Sequence, residues 1–172
     1  LILSRISQLP GKFSSRSSGG LRPGYLGQNG LGEALSPAFR MSGEMPAGAA
    51  ALPVFKVLYR NSARIQDFGG RPREVLKPVQ PAPLPEGKRG GEALRDAVRR
   101  KDVDGAEGLF ASLAKSSPAD AFNALLTEVQ DNAEVHRVAL PYRAWDLLDV
   151  VGAEHAHTLL RQSLRYCHKA EA

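Results

Sequence analysis

The chain has 172 residues and a formal net charge of +5, from 23 Lys and Arg against 18 Asp and Glu, with a single cysteine. One cysteine excludes an intrachain disulfide framework and a multi-cysteine metal site, so the fold must rest on core packing. No apolar run approaches the roughly eighteen residues of a membrane span, which points to a soluble chain with the cytoplasm as the favoured compartment.

Charge and composition are uneven along the chain. Residues 1–90 carry 13 Lys and Arg against 5 Asp and Glu, whereas residues 91–172 carry 10 against 13. Most of the 17 glycines and 12 prolines also fall in the first part, where periodic apolar pattern is scarce. The pattern divides the chain into a disordered or arbitrary N-terminal extension over 1–50, an amphipathic helix over 52–68, a Pro-rich linker over 69–91 and a helical domain over 92–172. The expected fold class is all-α: an irregular multi-helix bundle or helical-hairpin array behind a largely disordered, basic, Pro/Gly-rich region.

Residues 1–32 hold Arg5, Lys12, Arg16 and Arg22, many serines and no acid, a composition shared with organelle transit peptides. Pro10, Gly11, Gly19, Gly20, Pro23 and Gly24 interrupt it, leaving only Leu1 to Leu9 as a short amphipathic stretch, and an upstream extension is the simpler reading. The opening residue is Leu1 rather than methionine, so a fragment of a larger protein is expected. A basic arm beside an acidic domain attracts nucleic acid or anionic surfaces. Without an aromatic-interleaved basic face or a recognised binding module, nucleic acid is not favoured as a partner, and a protein partner or the remainder of a larger chain is.

In 52–68, Val54, Val57, Leu58, Ile65 and Phe68 recur at helical spacing, with Pro53 in the first turn and Gly69 at the exit. Lys56, Arg60 and Arg64 share the outer face. The linker contains Pro72, Pro78, Pro81, Pro83 and Pro85, which forbid a continuous helix and favour extended, polyproline-like backbone. It reads as a spacer or a wrapping segment. A Pro-x-Pro-x-Pro run also serves as a ligand for aromatic grooves.

The helical domain opens with Glu92 to about Arg100, turning Leu94, Ala97 and Val98 inward. Asp104 and Glu107 have capping-box spacing, which predicts a helix from Gly105 to Lys115. Ser117, Pro118 and Asp120 form the next start signal, for a helix burying Ala119, Phe122, Leu125, Leu126 and Val129. The stretch Ala97 to Phe110 resembles one half-repeat boundary of tetratricopeptide-like or related helical-hairpin arrays, but no second copy follows at the required period.

From Glu134 to Gly152 the apolar phase changes. Val135, Val138, Ala139 and Tyr142 share one face, while Ala144, Trp145, Leu148 and Val151 share another well over 90° away. Pro141 lies at the change and predicts either a kink that lets both faces meet one core or the end of one helix and the start of another. The last helix, Ala153 to about Lys169, carries the stripe Ala156, Leu159, Leu160, Ser163, Leu164 and Cys167, with Arg161, Arg165 and Lys169 outward. Trp145, Leu148, Leu159, Leu160, Leu164 and Cys167 are the candidate core.

All four histidines, His136, His155, His157 and His168, fall in the last 37 residues. His155 and His157 diverge by roughly 200° on a helix and cannot chelate one ion from it. Glu154 and His157 have the i, i+3 spacing of di-iron bundles, which need a second such pair and two further carboxylates. No cofactor is predicted. The one metal site the pattern admits uses His136, His157 and Glu154, with ligands added from outside the segment. Cys167 reads as a buried structural thiol.

The segments Glu134 to Asp149, EVHRVALPYRAWDLLD, and Glu154 to Cys167, EHAHTLLRQSLRYC, resemble part of an uncharacterised family of larger bacterial all-helical proteins with further histidine-containing helices. That resemblance implies a truncated domain whose histidine-lined pocket is incomplete, and no reaction. The leading functional expectation is a helical interaction or structural module. The alternatives are a histidine/carboxylate metal-dependent oxidoreductase completed outside this segment, and a nucleic-acid or anionic-surface binder acting through the basic N-terminal arm.

Overall fold

The computed structural model describes residues 31–68 and 77–170. Among these residues the fold is all-α, with no strand. In chain order the helices are α1 (Leu31–Ser42), α2 (Leu52–Phe68), α3 (Gly90–Arg99), α4 (Val103–Ser116), α5 (Pro118–Val129), α6 (Val135–Val151) and α7 (Ala156–Ala170), with a 3-10 turn at Ala153–His155 before α7. The expectations for residues 1–30, and for Ile65 and Phe68 in the α2 stripe, lie outside the described residues or side chains.

Helix α1 corrects the reading of 1–50 as an extension for Leu31–Ser42, which fold onto the domain. Its Leu35 and Ala38 are buried in the common core, and Ser36 and Ser42 are buried beside them, so apolar packing holds a helix that Pro37 and the surrounding glycines hide from a propensity argument. Glu33 in its first turn and Arg40 in its last suit the helix dipole. Together α1 and α2 form a pair, with Val54 buried and Val57 and Leu58 against the core, and α1 docks on α6.

Local signals explain the remaining ends. Ser117 accepts from the Asp120 amide with Pro118 at the first helical position, as predicted. Glu134 caps α6 by accepting from the Arg137 amide, and Gly152, at φ 107°, closes it in backbone space that favours glycine. The start of α4 differs from expectation: Asp102, not Asp104, is the cap, accepting from the Gly105 amide at 2.9 Å. Asp102 follows Lys101 at φ 60°, and that turn sets the helix entry two residues early, releasing Glu107 from a capping role.

At the centre lies α7, packed by α4, α5 and α6. Leu160 and Leu164 are fully buried, and Leu159 and Cys167 nearly so. Helices α3 and α5 approach closely because Gly91 has no side chain: a Cβ there would stand 2.5 Å from Thr127 Oγ1 and 3.3 Å from the Ala124 Cα. Helix α6 runs through Pro141 as one element, with Pro141 buried.

We expect Gly91→Ala to lower unfolding free energy by about 1–3 kcal/mol through overpacking. Gly48→Ala, whose Cβ meets nothing within 4 Å, serves as the control at under about 0.5 kcal/mol. Urea unfolding of both variants measures the difference.

Candidate functional site

One face of α7 carries His157, Arg161 and Arg165 at i, i+4 and i+8, a row that helical geometry stacks along one side. Sequence reasoning placed Arg161 and Arg165 outward. In the fold Arg161 is 4% exposed and meets Glu107 of α4 in a two-pronged contact, Nε to Oε1 at 3.1 Å and Nη2 to Oε2 at 2.7 Å. Its Nη1 donates to the Lys77 carbonyl at 2.7 Å, and Arg165 Nη1 reaches Glu107 Oε1 at 2.9 Å. A charged residue on the edge of an apolar stripe turns inward when a second helix supplies a buried counter-charge, and that counter-charge lies 54 residues away in sequence.

Burial raises the Glu107 carboxyl, but the hydrogen bonds and charge of Arg161 and then Arg165 outweigh it and hold the group below the ordinary carboxylate range. His157 lies against Phe110, ring centroids 6.1 Å apart, and burial followed by the Arg161 charge lowers its pKa. At neutral pH the pair is thus a carboxylate beside a neutral imidazole. Held by two arginines, Glu107 is a poor proton acceptor, and the cluster is suited to clamping α4, α7 and residue 77 together rather than to acid–base work.

A second buried carboxyl behaves oppositely. Glu128 of α5 is 1% exposed, and its Oε1 accepts no hydrogen bond from the described residues. Burial first, then repulsion from Asp131, outweighs the charges of Arg137, Arg95 and Arg99 and pushes its pKa up to about 8. Nearby, between α3 and α5, an open cleft of about 620 Å³ is lined by Arg89, Gly91, Arg95, Asn123, Thr127 and Gln130. Its charges are largely balanced, since Glu92 binds Arg89 at 2.6 Å and Asp120 also lines it.

The three residues proposed from sequence as metal ligands have separate surroundings. His136 Nδ1 meets Glu33 Oε1 at 3.0 Å, a hydrogen bond and charge that raise its pKa, and its ring lies 5.7 Å from that of Tyr166. His157 sits at the Glu107 cluster. Glu154 belongs to the 3-10 turn rather than to α7, and faces His155 Nε2 at 3.8 Å. Among the described residues no group of three or more His, Cys, Asp or Glu is arranged to hold a metal ion.

The apolar residues of α6 divide as their phase predicts, but only one set reaches the core. Ala144, Leu148 and Val151 are buried, and Trp145, half-buried, stacks on Phe122 with centroids 4.8 Å apart. Val135, Val138 and Tyr142 stay outside, 75%, 48% and 55% exposed. The expectation that Pro141 would turn both faces into one core is therefore corrected. Side chains at i, i+3 and i+7 of a continuous helix stay on one outward face, and α1, α5 and α7 occupy the other sides. The Arg143 guanidinium lies 5.2 Å from the Tyr142 ring centre, at the edge of this row. No helix of the described residues is long and apolar enough to cross a membrane. The sequence matches no protein-family model, curated protein or solved structure at a significant level.

Two outcomes follow from the buried acids. Arg161→Met should cost about 3 kcal/mol, the lower end for breaking a buried pair because Arg165 remains. The double variant Glu107→Gln/Arg161→Met should recover most of that loss, and a double-mutant cycle from urea unfolding reads the coupling. For Glu128, the unfolded chain titrates at the ordinary value of 4.5 and the fold at about 8. Its stabilising contribution is complete below pH 4.5 and disappears as pH rises through 8, because the unfolded chain releases a proton that the fold retains. Unfolding free energies measured from mildly acidic to mildly alkaline pH should show Glu128→Gln gaining relative to the native chain as pH rises; a constant offset would refute the assignment.

Proposed function

We propose that the chain is a protein-interaction module, with the outward face of α6 as its contact surface. Val135, Val138 and Tyr142, on successive turns of one helix and all about half exposed or more, carry this reading. Single exposed apolar side chains are ordinary on any surface, whereas a continuous row framed by polar residues is the pattern of a helix awaiting a partner. Glu134 and Asp149 border it, Asp149 with a side chain 82% exposed, and Arg143 lies over Tyr142, the kind of aromatic and arginine content found at the centres of interfaces. The partner is another protein or a further segment of a longer chain that contains this one.

The α6 row rests on rigid support. Phe122 and Trp145 stack beneath its flank, and Asp146 on the neighbouring side accepts from both Ser36 and Arg40 of α1. A face held on three sides loses little conformational freedom when it is covered, which favours binding.

A photo-crosslinking amino acid at position 138, in cells producing the protein, should give one defined adduct that disappears with Val135→Asp. The same probe at Val103, an exposed apolar position on α4, should not. Equal adduct patterns from both positions would sink the proposal.

A further inference from the structure

The segment from Lys77 to Pro85 has no helix, strand or turn, yet it is closely tied to the bundle. The Ala82 amide donates to the Gly108 carbonyl at 2.9 Å, Ser112 donates to the Ala82 carbonyl, and Arg161 donates to that of Lys77. Gly108 makes the approach possible, since a Cβ there would lie 2.9 Å from the Ala82 Cβ.

Its backbone conformation follows from its sequence. The rings of Pro78, Pro81, Pro83 and Pro85 fix φ, and the residues before them, Lys77, Gln80, Ala82 and Leu84, are driven out of helical space into extended backbone. Only Val79 escapes both constraints. These constraints favour polyproline II backbone, which has three residues per turn. Burial has the same period: Val79 and Ala82 are half-buried, and the other residues of the segment are exposed. With that edge against α4, Pro78, Pro81 and Leu84 form an apolar ridge facing solvent, Leu84 41% exposed. Lys77, Gln80 and Pro83 form a second ridge, polar at its first two positions.

We infer that this strap is a preformed ligand for a protein domain that reads polyproline II helices through an aromatic-lined groove. Such grooves accept alternate ridges of a rod whose ordering entropy is already spent. Here the rod is anchored by its third edge, so the two ridges a groove needs are both presented while the backbone is held. Lys77 at the ridge end adds a cation, which favours a groove with an acidic rim. The inference is independent of the α6 face.

The test is a titration of the isotope-labelled full chain, followed by backbone NMR, with two purified probes, an SH3 domain and a WW domain. At least one probe should shift signals from Val79 to Leu84 and leave those of Phe110 and Ser112 in place. Pro78→Ala/Pro81→Ala, which removes two exposed rings and frees the backbone they constrain at a stability cost of about 1–2 kcal/mol, should weaken binding about tenfold or more, equivalent to about 1.4 kcal/mol, while the chain stays folded. The inference is overturned if neither probe moves the strap signals or if binding survives the double substitution. It is equally overturned if binding appears only after Ser112→Ala has loosened the strap.

Discussion

The contact between Glu107 and Arg161 is the constraint around which the rest of the domain is arranged. Both groups are removed from water, 5% and 4% exposed, at a desolvation cost that only close, well-directed pairing offsets. The two-pronged geometry provides that pairing, and it fixes the rotation of α7 about its own axis relative to α4. With the rotation set, Leu160, Leu164 and Cys167 face the shared core, and the third guanidinium nitrogen meets the Lys77 carbonyl. Apolar residues at both 107 and 161 would bury as well without this directional contact. The pair therefore contributes more to the choice of arrangement than to net stability.

Helix α6 shows the complementary situation, in which apolar residues outnumber the sides available to cover them. Its neighbours occupy the faces of Leu147, Ala144 and Leu148, and the row from Val135 to Tyr142 remains in solvent. A single helix with apolar groups on two faces meets two different surfaces, and within the described chain only one of them is present. The same logic separates the two buried acids. Glu107 has arginines at hydrogen-bonding distance and stays charged, whereas Glu128 senses arginines only through space, beside Asp131, and keeps its proton to about pH 8.

Features governed by neighbouring residues were legible in the sequence. The Ser117 cap with Pro118, the Gly152 exit, the α7 stripe and the two-faced character of α6 all follow from spacing within one or two helical turns. Features governed by distant residues were not. Arg161 turns inward because of Glu107, and Asp102 outcompetes Asp104 because of the turn at Lys101. Helix α1, with Pro37 in its interior, exists because α6 and α2 cover Leu35 and Ala38. The histidines invited a shared role by their proximity in sequence. The 3-10 turn at Ala153–His155 interrupts the helical register that the Glu154 and His157 spacing assumed, and His136 is drawn to Glu33.

The anchoring of α1 has a further meaning during biosynthesis. Ser36 meets Asp146 across 110 positions, and Glu33 meets His136 across 103. When α1 leaves the ribosome, the helix α6 that it docks on has not been made, so the α6-facing side of α1 waits uncovered while about a hundred residues are added. At roughly 5–20 residues per second this lasts several seconds or longer. Final docking of the amino-terminal pair is thus a late event in the life of the nascent chain, and that pair is the part of the domain most in need of shielding until α6 emerges.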